Sequence, residues 1–245
     1  MTLRPIKAIT FDFWRTLFFA KVNQKERRMA RVELLCDAIN ISAEAAKEAL
    51  KEQEREFLRI HVYEQRTLSP NDAIPLLETQ LKLEIPENVA QELAMQFGQV
   101  ILEHPPEPVD GALDAVKAAA EHVPVGVISD TGISPGKPLQ ELLDRFGFMD
   151  YFTSCSFSDE VGVAKPQSAM FYHAAHGLNV EPKELFHLGD LEPTDIVGAV
   201  NVGAQAGLFG GDNERFLEEN SAHRTYASWK EFISDVPELV GKTAE

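Results

Sequence analysis

The sequence predicts an α/β protein, a doubly wound parallel sheet with an inserted four-helix cap domain. Three observations carry this reading. From residue 109 onward, short apolar runs alternate with helix-periodic segments. Within residues 18–108 the chain from about Asn23 to Glu103 is helical in character, with no strand signal. One apolar, β-branched run, Ile6 to Phe13, precedes that block. The α/β core is therefore expected in two pieces, 1–17 and 109–245, with the helical cap, 18–108, inserted after the first strand.

Each element follows from local chemistry. Ile6 to Phe13 is rich in β-branched and aromatic residues, and such a run belongs in a strand covered on both faces, as in a parallel sheet. From Asn23 to Glu103 the chain is rich in Ala, Glu, Gln, Leu and Arg, and Met29, Val32, Leu35 and Ile39 keep to one helical face. Ser42 and Ser69 suit N-caps, Ser69 standing before Pro70. Four helices are expected, at 23–40, 43–62, 70–83 and 86–103. His104-Pro105-Pro106-Glu107-Pro108 then breaks the pattern as a linker.

Beyond the linker, helix 111–122 leads to strand Val125–Ser129, and helix 137–146 to strand Tyr151–Cys155. Helix 167–177 leads to strand Leu185–Leu188, and helix 195–202 to strand Gln205–Phe209. This alternation implies right-handed crossovers and helices on both faces of a parallel sheet. After Gly210 only a short helix near Trp229–Val236 is expected.

Composition narrows the partners. With 39 acidic and 23 basic residues the net charge is −16, which repels nucleic acid and anionic membranes. An anionic substrate must then be met by local positive charge or a bound cation. Cys36 and Cys155 lie far apart without a metal-ligand spacing, so neither a disulfide framework nor a zinc site is indicated and a reducing compartment fits. No stretch approaches the ~20 apolar residues of a membrane span. A cytoplasmic protein acting on a small molecule is expected.

In an open parallel sheet the carboxyl ends of the strands face one crevice, where ligands bind. The first strand delivers Asp12, followed by Thr16; the second delivers Ser129-Asp130-Thr131. Val163-Ala164-Lys165-Pro166 precedes the fourth, which delivers Gly189-Asp190 and then Asp195. Singly, each is an ordinary turn or surface residue; their order and spacing together are not ordinary.

Over essentially its whole length the sequence resembles the haloacid dehalogenase-like (HAD) superfamily. The family's first motif, a strand ending Asp-x-Asp-x-Thr, is matched by Asp12-Phe13-Trp14-Arg15-Thr16, and its strand-end Ser or Thr by Ser129. Its Lys is matched by Lys165-Pro166, and its Gly-Asp followed by another Asp by Gly189-Asp190 and Asp195. The helical insertion after the first motif is similar to the family's type-one cap. The resemblance implies a Rossmann-like HAD core and a Mg²⁺-dependent hydrolase, most of all a phosphatase acting on a small phosphorylated metabolite.

Within that resemblance Asp12 is the nucleophile, forming an aspartyl-phosphate that splits hydrolysis into two steps. Asp12, Asp190 and the backbone carbonyl of Trp14 hold Mg²⁺ through hard oxygen ligands, with Asp195 behind them or bridged by water. Thr16, Ser129, Asp130 and Lys165 bind the phosphate, and Lys165 also restrains repulsion among the carboxylates.

One position departs from the family's phosphatases. They carry a second Asp two residues after the nucleophile to exchange protons with leaving group and water; here Trp14 stands there and has no such proton. Glu192, Asp130 or a cap residue would have to serve, or turnover would be slow and restricted to good leaving groups. Two alternatives stand beside the phosphatase: a 2-haloacid dehalogenase, which also has an aromatic residue at that position but lacks the Gly-Asp metal ligand, and a non-catalytic binding protein.

Arg27, Arg28 and Arg31, at helical spacing on the first cap helix, read as solvated surface charges. Phe18 and Phe19 are expected to wall the hinge side of the pocket. His61, His104, His173, His176 and His187 follow no metal-ligand spacing, and His187, within a strand, reads as a packed, hydrogen-bonded histidine.

Overall fold

The structure, a computed structural model, describes residues 4–242 and every side chain among them except that of Val62; the expected core's outermost residues, 1–3 and 243–245, lie outside it. The chain runs β1 (Ala8–Phe11), α1 (Gln24–Ile39), α2 (Ala43–Arg59), α3 (Pro70–Leu81), α4 (Glu87–Glu103), α5 (Ala112–Ala120) and β2 (Val125–Ser129). It continues α6 (Gly136–Arg145), β3 (Phe152–Phe157), α7 (Ser158–Val161), α8 (Ser168–Gly177), β4 (Leu185–Gly189), α9 (Val197–Asn201), β5 (Gln205–Phe209), β6 (Arg224–Tyr226) and α10 (Trp229–Leu239). A π-helical turn, Ile60–Glu64, extends α2, and another, Glu192–Ile196, leads into α9.

The six strands form one parallel sheet in the order β3-β2-β1-β4-β5-β6. Every residue of β1, β2, β4 and β5 is buried, the pattern of strands covered on both sides. Alternation sends Ile9, Phe11, Val125, Val127, Phe186 and Leu188 into one apolar cluster, shared with Trp229 and Phe232 of α10. Ala8, Ile128, Leu185 and Leu208 enter a second cluster, closed by Phe171 of α8 and Ala199 of α9.

Among the differences from the sequence reading, three concern strands β1, β3 and β6. β1 is shorter than Ile6–Phe13 because the chain leaves the sheet at Asp12. β3 runs to Phe157, so Cys155 sits inside it rather than at its end. A sixth strand, β6, lies where only irregular chain was expected. It has three residues, too few for a period-two signal, and it forms by pairing along β5.

Helices α1–α4 pack around their own buried residues, among them Val32, Leu35, Leu50, Leu77, Leu93 and Phe97. Ser42 caps α2 by accepting from the Ala45 N–H at 3.2 Å, and Ser69 and Asp72 close a capping box at the start of α3.

The arginines of α1 correct the sequence reading. Only Arg28 is a surface charge, paired with Glu54. Arg27 and Arg31 are buried. Arg27 donates to the carbonyls of Val22 (2.8 Å), Ala20 (3.0 Å) and His104 (3.0 Å), where the helical block leaves and rejoins the core. Arg31 donates to the Phe97 carbonyl at 3.2 Å and to Ser134 Oγ at 3.4 Å, and burial lowers its pKa to about 10. Helical spacing marks these two as neighbours on one face; it does not reveal that this face meets backbone carbonyls and the Ser134 hydroxyl of other segments.

Phe11 is fully buried between sheet and α10, with its ring centroid 5.7 Å from that of Phe232 and 6.0 Å from that of Trp229. Phe11→Ala should cost about 3–5 kcal/mol, from lost burial and the cavity left behind. Urea denaturation would read this as a lower midpoint with an unchanged slope.

Candidate active site

The strand order reverses direction between β1 and β4: from β1 the chain works outward to β2 and β3, then returns beside β1 and proceeds to β5 and β6. At such a switch point the connections diverge and leave a crevice at the carboxyl ends. Asp12 leaves β1 there, its N–H donating to the Leu188 carbonyl of β4 at 2.8 Å. Asp190 leaves β4 beside it. Asp195 returns to the same point because the turn after Asp190 brings it back, its N–H donating to the Leu191 carbonyl at 2.9 Å and its carboxylate accepting from the Leu191 N–H at 3.0 Å, from Lys165 and from His187. Gly189 makes that approach possible, since a Cβ there would stand 2.3 Å from Asp195 Cγ.

Asp12, Asp190 and Asp195 are all buried, and each offers an oxygen within 4.8 Å of the others. The Lys165 ammonium joins two of them, at 2.5 Å to Asp12 Oδ1 and 2.6 Å to Asp195 Oδ1, and its third proton goes to the Ile128 carbonyl at 3.1 Å. All three of its protons therefore act inside the cluster. Asn213, in the loop after β5, donates to Asp190 Oδ2 at 2.7 Å. His187 Nε2 lies 3.1 Å from Asp195 Oδ1 and Nδ1 3.0 Å from Thr10 Oγ1; with a carboxylate as acceptor, Nε2 carries the proton and Nδ1 accepts from the hydroxyl.

The charges of these groups are uneven. Burial pushes Asp12 well above the usual carboxylate range, Lys165 pulling it back while Asp195 and Asp190 push further. Burial, followed by the neighbouring Asp195, raises Asp190 to about 7. Burial also opposes ionisation of Asp195, but Lys165 and His187 outweigh it and hold Asp195 below its ordinary range. Burial would neutralise Lys165, yet the carboxylates around it keep its pKa above normal. Burial lowers His187 despite Asp195. Three carboxylates facing one ammonium leave negative charge uncompensated, and the donor set is hard oxygen: this cluster could hold a divalent cation.

A cavity of about 350 Å³ opens over the cluster. Of the residues singled out by sequence, Asp12, Trp14, Asp130, Lys165, Asp190 and Asp195 line it. Thr16 and Ser129 do not. Both are fully buried; the Ser129 hydroxyl donates to the Asp130 carbonyl at 3.1 Å, and Thr16 Oγ1 meets no protein partner. Asp130 Oδ1 accepts the Lys165 backbone N–H at 2.8 Å. Burial raises its pKa, against Lys165 and His61. Trp14 is half-buried against Phe13.

Phe18 is fully buried and stacked on Phe13, so it belongs to the core rather than to a pocket wall. Sequence reasoning missed Asn213 and His61. Asn213 follows β5 and was accessible to the strand-end rule, had it been carried past Gly210. His61 sits on the π-helical turn after α2, and no local signal points from there to the crevice.

Removing one partner of a buried ion pair leaves charge without solvent or counterion, at about 3–5 kcal/mol. Lys165→Met should therefore lower stability by that order, measured by urea denaturation without added metal, although the variant gains apolar volume.

The family model for haloacid dehalogenase-like hydrolases matches residues 6–203. The chain is 35% identical over 98 residues to the pyrimidine 5'-nucleotidase YjjG of Escherichia coli strain K12, covering 39% of this chain and 42% of that protein. It is 32% identical over 115 residues to a glyceraldehyde 3-phosphate phosphatase of Pyrococcus furiosus, covering 47% and 45%. The match thus spans under half the length of these curated relatives. Among solved structures, a 2-haloacid dehalogenase from Pseudomonas syringae pv. Tomato DC3000 superposes with a TM-score of 0.71 at 20% identity, covering 98% of this chain and 100% of that one, a likeness of fold. With the matched span running from β1 to the end of α9, and with the crevice built from its strand ends, the chain belongs to the haloacid dehalogenase-like hydrolases.

Proposed function

We propose that this hydrolase is a Mg²⁺-dependent phosphatase acting on a small phosphorylated metabolite through an aspartyl-phosphate at Asp12. The observation that carries the reading is the buried Asp12–Asp190–Asp195 cluster, bridged by Lys165 at the floor of the cavity. The names of the nucleotidase and the phosphatase above, both acting on phosphate esters, support it. Phosphoryl transfer asks for an in-line nucleophile and compensation of charge, and little other covalent chemistry.

In this reading the Asp12 carboxylate attacks phosphorus and water later hydrolyses the mixed anhydride. Asp12, Asp190 and the Trp14 carbonyl hold the cation, with Asp195 behind them or bridged by water. Bound there, Mg²⁺ supplies the positive charge that the cluster lacks and that a phosphate brings further need of. Asn213 fixes the Asp190 carboxylate for that task. Lys165 holds Asp12 and Asp195 in place, and a role on phosphate requires it to exchange one of its present contacts. Asp130 sits on the cavity wall, while Thr16 and Ser129 support the two strand-end loops from behind. Residues 18–108 act as a cap: their His61 reaches the cavity, and Gln167, next to the Lys165 loop, donates to the Gln65 carbonyl at 2.6 Å.

Two measurements test this. Asp12→Asn should reduce hydrolysis of p-nitrophenyl phosphate to background while the melting curve stays cooperative; retained turnover would overturn the covalent route. Mg²⁺ should raise the melting temperature by mass action on the folded state, on the order of 2.7 kcal/mol of stabilisation at a hundredfold excess over Kd. Asp190→Asn should abolish that rise, and a wild type whose melting temperature does not move with Mg²⁺ through the millimolar range contradicts the metal assignment.

A further inference from the structure

We propose that His61, held beside Asp130, is the catalytic acid and base of this site, taking the part that Trp14 cannot play. The inference rests on the phosphatase reading and adds a residue to it. Indole has no proton to exchange near neutral pH. Among the titratable groups lining the cavity, Asp12, Asp190, Asp195 and Lys165 are bound up in the charged cluster. Arg15, also on the wall, keeps its proton. Glu192 is not on the wall, and its Oε1 already accepts from the Ser221 N–H (3.1 Å) and hydroxyl (2.6 Å). His61 and Asp130 remain.

Their geometry suits a proton carrier and its positioning residue. Asp130 is fixed at Oδ1 by the Lys165 backbone N–H, which leaves Oδ2 directed at His61 Nε2, 3.8 Å away. The Asp130 carboxylate is thus the charged neighbour of the ring on the cavity wall. Imidazole is the side chain that ordinarily both gives and takes a proton near neutral pH. The π-helical turn Ile60–Glu64 carries His61, and the extra residue in such a turn redirects the side chains it bears. The Gln167–Gln65 hydrogen bond holds the end of this turn against the core.

In the first step an Asp12 oxygen bonds to phosphorus as the ester P–O bond breaks. The departing oxygen keeps the electron pair and takes the imidazolium proton of His61. In the second, water oxygen bonds to phosphorus, the P–O bond to Asp12 breaks with its electron pair returning to the carboxylate, and the water proton passes to His61. The sum is ester plus water giving alcohol plus phosphate, with His61 protonated again.

The test compares glycerol 2-phosphate, whose alkoxide needs a proton, with p-nitrophenyl phosphate, whose leaving group does not. In His61→Ala and His61→Gln, kcat on the alkyl ester should fall by about 10²-fold or more, and at least tenfold further than on the nitrophenyl ester. Imidazole added to His61→Ala should restore part of the alkyl-ester rate, a recovery that a packing defect would not show. Asp130→Asn should move the same ratio in the same direction. An unmoved ratio in both His61 variants, a loss confined to KM, or failure of imidazole to restore the rate overturns the assignment while the phosphatase reading stands. A wild type that turns over neither ester removes the phosphatase reading and this assignment with it.

Discussion

The constraint on which this molecule is organised is the burial of three carboxylates around one ammonium. Unit charges of like sign a few ångströms apart repel by about 4 kcal/mol at an effective dielectric of 20. Asp12, Asp190 and Asp195 meet that repulsion because Lys165 bridges Asp12 and Asp195, His187 and the Leu191 N–H secure Asp195, and Asn213 secures Asp190. These groups come from four segments: β1, β4 with the turn after it, the Lys165 loop and the loop after β5. The cluster can exist only when β1, β4, the Lys165 loop and the loop after β5 are all in place, so the site is itself a fold determinant.

The sheet order does the complementary work. With β1 and β4 adjacent at the centre and crossovers leading away on either side, the strand-end residues converge without long loops to carry them. Short connections from rigid, fully buried strands fix the carboxylates better than mobile loops would. Glycine at position 189 removes the one side chain that would keep Asp195 away.

Most of this architecture was readable in the amino-acid order. Asp12, Asp190 and Asp195 come together because strand ends in a parallel sheet share a crevice, a rule that needs only the alternation of elements. β6 escaped because three residues on a sheet edge carry no periodicity and owe their conformation to β5. The burial of Arg27 and Arg31 escaped for a related reason: their partners are backbone carbonyls, which every sequence possesses and no sequence advertises. His61 reaches the cavity through a departure from regular helix, which composition and spacing cannot register.

The Arg27 guanidinium has a mechanical meaning. Its bonds to Ala20, Val22 and His104, with Asn23 donating to the Pro105 carbonyl at 2.8 Å, fasten together the two stretches of chain that join the helical block to the sheet. Two separate strings would let the block drift; one buried knot ties them to each other. Away from that knot the block meets the core again: Arg31 donates to Ser134 Oγ, Arg145 donates to the Leu102 carbonyl at 2.9 Å, and Gln167 donates to the Gln65 carbonyl at a solvent-exposed edge. Water competes freely for the Gln167 bond, at the edge that carries His61, and hardly at all for the buried Arg27 knot.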